Sequence, residues 1–178
     1  MDKPKQAILI LHHKGSKGWL EPLLDSIDTN YPIIVSNHTG YCMNGIEKFY
    51  KENNYDEVCI LNESMIVKDN DIWRLIFEEH SGKSVMLGVD YSMFIGKYLT
   101  EYILPFPDVK TKRDDVLLGE DQWCRGYSRL PIEHIQIDPL HDTYQVFEEK
   151  NGRNNMILEN TYFKKWKGHW NLEMVGDQ

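Results

Sequence analysis

Four short aliphatic runs, Gln6 to Leu11, Pro32 to Ser36, Val58 to Leu61 and Ser84 to Val89, are separated by three stretches whose apolar residues recur at helical spacing. Gln6 to Leu11 hardly alternates between polar and apolar residues, the pattern of a parallel strand covered on both faces. Trp19, Leu20, Leu23, Leu24 and Ile27 form the first helical stripe, and Pro22 is tolerated because it falls in the first turn. Ile46, Phe49 and Tyr50 give the inner face of a second helix over Met43 to Lys51. Ile72, Trp73, Leu75 and Ile76 give that of a third over Ile72 to His80, with Asp69, Asn70 or Asp71 available as its cap and Gly82 as its stop. Such a βαβαβαβ order predicts an α/β fold: a mainly parallel sheet with helices on both faces.

Beyond Asp90 the regularity fades. The spacing predicts an aromatic-rich helix over Ile95 to Leu104 that Pro105-Phe106-Pro107 breaks, then a helix over Asp115 to Tyr127 and a strand over Ile132 to Ile137. A polar loop over Leu140 to Arg153 and a terminal helix over Leu158 to Lys167, bearing Tyr162, Phe163 and Trp166, complete the expectation. At 178 residues one domain spanning 1–178 is expected, with no internal repeat or linker.

Charge narrows the function classes. With 28 acidic and 20 basic residues the net charge is −8, which argues against a broad grip on nucleic acid or an anionic membrane. Ile8 to Leu11 is far shorter than a membrane span or a signal-peptide core, so a soluble, cytoplasmic protein is expected. Cys42, Cys59 and Cys124 match no zinc spacing and read as reduced thiols, Cys59 as a small apolar residue in a buried strand.

Polar residues collect where strands should end, the edge at which α/β sheets bind ligands. His12-His13 follows the first strand, Asn37-His38-Thr39-Gly40 the second and Asn62-Glu63-Ser64 the third. An imidazole of His12 or His13 suits a nucleotide phosphate or ribose, with Lys14 adding charge. Glu63 suits a metal ion or a sugar hydroxyl. Glu120-Asp121, beside Trp123, and His141 are further acidic and imidazole centres, and oxygen and imidazole ligands together suit Mg²⁺ or Mn²⁺. On residue type alone, Glu63 reads better as a solvated loop carboxylate, Glu120-Asp121 as a solvated helix face and His141 as a surface histidine. No GxGxxG, GxxxxGK[ST] or GxSxG pattern occurs, which argues against dinucleotide binding, P-loop hydrolysis and a serine hydrolase.

Taken in order, ILILHHKGSKGWLEPLLDSI, YDEVCILNESMIVKDND, GEDQWCRGY and NNMILENTYFKKWKGHW resemble the small inverting family 2 glycosyltransferases of the GT-A fold. The resemblance implies a single GT-A-like domain with a nucleotide-binding half at 1–90 and an acceptor half at 91–178. It implies that His12, His13 and Asn37 line the nucleotide crevice, and that Asn62-Glu63-Ser64 stands where the family has the Asp-x-Asp that ligates a metal on the sugar diphosphate. One carboxylate there replaces two. It implies Asp121, with Glu120, as the general base and His141 as a metal ligand with Glu63, the ion being Mn²⁺ or Mg²⁺; Trp123, beside the acidic pair, reads evenly as a stacking surface for the acceptor or as core. Lys97, Lys112 and Arg125 are then candidates to attract the diphosphate. The expected reaction is inverting transfer from a donor such as a UDP-sugar to a carbohydrate or other hydroxyl acceptor. A degenerate module that binds a nucleotide sugar or a protein partner without catalysis, and a transferase acting on hydroxylated DNA bases, are the alternatives; the acidic balance gives the last no support.

Overall fold

The first strand, β1 (Gln6–His13), has five consecutive buried residues and hydrogen-bonds to a parallel neighbour on each edge. Its side chains alternate between two cores, as the pleat requires. Ile8 and Ile10 enter one, with Leu23 of α1 (Leu20–Ser26); Leu9 and Leu11 enter the other, with Met43, Ile46 and Phe49 of α2 (Cys42–Glu52). The neighbours are β2 (Ile33–His38) and β3 (Glu57–Asn62), and β3 splits likewise, Cys59 and Leu61 to the first core, Val58 and Ile60 to the second. Helices therefore cover both faces, the doubly wound α/β arrangement expected from the alternation. The computed structural model describes residues 3–14, 18–38, 41–86, 93–95, 106–115, 117–118, 134–136, 141–150 and 153–167.

After β3 the chain leaves the large sheet. Directly behind Asn62-Glu63-Ser64, Met65–Val67 is a strand, β4, of a second sheet that the sequence pattern does not announce. The helix follows as α3 (Ile72–Arg74), running on as a π-helical turn over Leu75–Glu79, with Ile72, Trp73, Ile76 and Phe77 buried. Its expected cap residues work differently. The Asp69 carboxylate accepts from the Asp71 N–H at 2.9 Å, and the Asn70 oxygen accepts from Asp28 N–H and from Trp73 Nε1 at 2.9 and 2.7 Å, tying α3 to the end of α1. Gly82, at φ 80°, ends the helical segment as expected.

The remaining large-sheet strands are β5 (Ser84–Met86), β6 (Met93–Ile95) and β7 (His134–Gln136), in the order β2-β1-β3-β6-β5-β7. β6 is antiparallel to both β3 and β5, whereas β5 and β7 are parallel. The expected helix over Ile95 to Leu104 is thus corrected at its start, where Met93–Ile95 is a strand; 96–105 lie outside the described residues. Three apolar residues in a row carry no period of their own, and pairing on both edges decides for strand. Of the helix expected over Asp115 to Tyr127, the preceding turn α4 (Lys112–Asp114) is described, and 119–127 lie outside.

Two further corrections fall at the chain's end. The expected loop over Leu140 to Arg153 is largely the strand β8 (His141–Lys150), and the expected terminal helix is a hairpin of β9 (Arg153–Glu159) and β10 (Phe163–Lys167). With β4 they form the second sheet, ordered β4-β10-β9-β8 and antiparallel throughout. Asn160 makes the turn: its side-chain oxygen accepts from the N–H groups of Tyr162 and Phe163 at 2.9 and 2.7 Å. Lys68 clamps it, its ammonium 2.5 Å from Glu159 and 2.8 Å from the Asn160 carbonyl, and holds the Glu159 carboxyl below its ordinary range.

Two substitutions test this packing. Glu57, 1% exposed at the start of β3, accepts from Gln6 Nε2 at 2.6 Å, from Ser81 Oγ at 2.8 Å and from the Gly82 N–H at 2.7 Å. Glu57→Ala leaves those donors without their acceptor and is expected to lower the unfolding free energy by about 2–5 kcal/mol in urea titration. A loss below about 0.5 kcal/mol would remove the network from the stability account. Gly45 lies on the inner face of α2, where an added Cβ would sit 2.8 Å from the His38 ring and 3.2 Å from Leu11. Helix propensity alone favours Gly45→Ala by roughly 1 kcal/mol. Overpacking costs about 1–3 kcal/mol, so a net loss is expected in the same titration, and a gain would show that the His38 ring moves aside freely.

Candidate functional site

β1 and β3 end side by side, at the point where the chain has gone to β2 on one side and to β3 on the other. The polar residues emerge there because the strand ends are the first positions free of both cores. Pairing runs two residues further than the aliphatic pattern foretold: His12 lies opposite Asn37 and His13 opposite His38, so the expected turn at Asn37-His38 is strand. On the other edge Leu11 pairs with Asn62, and the Glu63 N–H donates to the Leu11 carbonyl at 3.3 Å.

That last bond turns Glu63 back toward β1. Its Oε2 meets His12 Nδ1 in a direct hydrogen-bonded ion-pair contact, with Glu63 6% exposed and the His12 side chain 16% exposed. The sequence places both on the nucleotide-sugar donor, His12 on its phosphate or ribose and Glu63 on a metal ion or a sugar hydroxyl. The fold joins them. Asn62 is buried with its side-chain oxygen 3.7 Å from Cys42 Sγ, at the start of α2. Ser64, fully buried, accepts from Lys165 Nζ at 3.2 Å, and its carbonyl accepts from the Trp166 N–H at 2.9 Å. All three side chains of the triplet are thus engaged, by partners on β1, α2 and β10.

The other wall is aromatic. The exposed His13 packs edge-on to the buried His38, ring centroids 5.6 Å apart, and the Lys14 N–H closes the corner on the His38 carbonyl at 2.8 Å. Asn37 is exposed, and its carbonyl accepts from Lys48 Nζ at 3.3 Å. Asp115, 1% exposed, brings a carboxylate oxygen 3.5 Å from the Met43 N–H, so an internal acid stands at the N-terminal turn of α2. Trp19 of the segment entering α1 meets Trp166, rings 5.8 Å apart.

Of the residues singled out from sequence, the structure brings His12, Asn62 and Glu63 together, with His13 on the adjoining wall and Asn37 opposite His12. Glu120, Asp121 and Trp123 lie outside the described residues, as do Lys97 and Arg125. His141 is the first residue of β8 rather than part of a loop; it pairs with Glu159, three strands from β4 across the second sheet. Cys59 is core, and burial pushes its thiol well above the ordinary range. Lys165, Cys42, His38 and Asp115 escaped sequence reasoning. Cys42 had a usable signal, following the polar turn that starts a helix; Lys165 had none, because nothing in residue type announces a buried lysine.

A divalent cation asks for about six hard donors, most of them oxygens. Among the described residues no three His, Cys, Asp or Glu side chains gather, and Glu63 is already taken up by His12. Among the described residues this donor set falls short of what Mn²⁺ or Mg²⁺ asks for. Nor is any helix among the described residues long and apolar enough to cross a membrane.

No protein-family model matches the chain, and no curated protein matches it. Among solved structures the chain is similar to A197 from STIV, at 12% sequence identity and a TM-score of 0.48, over 86% of each chain.

Proposed function

We propose that the protein is a nucleotide-sugar glycosyltransferase with a GT-A-like fold, moving a sugar from a donor such as a UDP-sugar to an acceptor hydroxyl. The observation that carries this reading is the place of His12 and Glu63, joined at the carboxyl ends of two adjacent parallel strands on the switch point of a doubly wound sheet, where such sheets bind nucleotides. The sequence resemblance puts a nucleotide and its diphosphate at the same strand ends. Asn37, opposite His12, borders that crevice.

In this reading Asp121 takes the acceptor proton as the nucleoside diphosphate leaves, and inversion follows from attack on the face opposite the leaving group. A protonated hydroxyl is a poor nucleophile, so the base contributes roughly 10²–10⁴ in rate. Glu120 and Trp123, its neighbours in sequence, serve the acceptor side. A second reading, a module that binds a nucleotide sugar without turnover, is favoured by the engagement of Glu63 with His12 and of Ser64 with Lys165.

Thermal shift with UDP and UDP-sugars, with and without Mn²⁺, tests the shared premise. A ligand at about 100 times its Kd adds about 2.7 kcal/mol, which raises the Tm of a chain this size by roughly 5–10 °C. No shift with any nucleotide would sink both readings. Asp121→Asn then separates them: turnover or donor hydrolysis is expected to fall by about 10²–10⁴ while the thermal shift survives. Unchanged turnover removes Asp121 from the role, and a wild-type protein that binds but never turns over leaves the second reading.

A further inference from the structure

Glu63 stands where the resemblance puts a metal ligand, yet its carboxylate is spent on an imidazole. Contact through His12 Nδ1 fixes what the rest of the ring can do. A carboxylate accepts only, so Nδ1 carries the proton in that contact, and Nε2 is left as the nitrogen with which the ring meets anything else. Among the described residues Nε2 has no hydrogen-bond partner, and the side chain keeps 16% of its surface exposed at the strand ends. Backbone bonds hold both members: Leu11 and His12 pair with β2, Leu11 with Asn62, and the Glu63 N–H with the Leu11 carbonyl. A ring so fixed offers a ligand one nitrogen in one direction, without the cost of ordering it on binding.

We propose that Glu63 is a positioning residue acting through His12, and that His12 Nε2 is the atom that contacts a nucleoside diphosphate, either accepting from a ribose hydroxyl or donating to a phosphate oxygen. The assignment rests on the nucleotide-binding reading above and replaces the metal-ligand role for Glu63 within it. The same carboxylate–imidazole device orients histidines in metal sites and catalytic triads. Here it makes two residues from adjacent strands a single binding group.

A double-mutant cycle read by calorimetric titration with UDP, in EDTA and again in Mn²⁺, decides the matter. His12→Ala and Glu63→Gln are each expected to weaken UDP by about 10- to 100-fold. The double variant should bind no more weakly than His12→Ala alone, and the Glu63 penalty should be the same in both media. A Glu63 effect confined to Mn²⁺, or one that persists undiminished in the His12→Ala background, overturns the dyad and makes Glu63 an independent ligand. UDP binding left intact by all three variants overturns the dyad alone. Absence of UDP binding to the wild-type protein in both media overturns the nucleotide reading, and the ligand assigned to His12 with it. Imidazole ¹⁵N spectra of the wild-type protein decide independently of how the variants fold: His12 protonated at Nδ1 supports the assignment, and the tautomer protonated only at Nε2 overturns it.

Discussion

Everything in this molecule is arranged around the double pairing of β1. A strand hydrogen-bonded on both edges and covered on both faces has no room for a polar side chain along its length, so Ala7 to Leu11 are apolar and buried. Polarity is thereby displaced to the strand's carboxyl end, and the same holds for its neighbour β3. Because the chain passes from β1 to β2 on one side and returns to β3 on the other, α1 and α2 lie on opposite faces and the ends of β1 and β3 fall at the switch point between them. The gathering of polar residues at these strand ends follows from topology.

The second sheet makes that end a closed corner. β4 begins directly after the triplet, and β10 crosses beside it, with Lys165 opposite Met65. Lys165 is 2% exposed, and taking an ammonium out of water is costly, so evolution keeps one only where hydrogen bonds repay the loss. Its bond to Ser64, with the Trp166 N–H on the Ser64 carbonyl, anchors the residue next to Glu63 from the far end of the chain. The turn holding the carboxylate is thus fixed by contacts about a hundred residues away in sequence, which is how a rigid site is built on a short loop.

Up to the helix from Ile72, the elements other than β4 were legible because their signals are local. Aliphatic runs and helical stripes fixed β1, α1, β2, α2, β3 and the helix from Ile72, with ends displaced by a residue or two. The C-terminal part was not legible, for an equally physical reason. In β10 the residues that face inward are Phe163 and Lys165, a strict two-residue period hidden by a lysine, while Tyr162, Phe163 and Trp166 imitate a helical stripe. The polar β8 likewise carries no aliphatic run and owes its strand to pairing with β9. At the site, position at the strand ends picked out His12, Asn62 and Glu63. That Glu63 would spend its charge on His12 depends on the register between β1 and β3, which a single sequence does not contain.

β3 carries a buried glutamate at each end, and the contrast between them separates architecture from chemistry. Glu57, at the amino end, engages both its oxygens with an amide, a hydroxyl and a backbone N–H, none of which changes charge near neutrality. It is a structural acceptor, locking the turn at Gly82 to the sheet. Glu63, directly past the carboxyl end, has one side-chain partner among the described residues, the imidazole of His12. Burial is nearly the same for the two, so burial does not distinguish them. The partner's chemistry does, together with position: Glu57 lies at the amino end of β3 beside the turn at Gly82, and Glu63 directly past its carboxyl end at the switch point. Glu57 is thereby fixed in the architecture of the sheet, whereas Glu63 holds an imidazole at the strand ends.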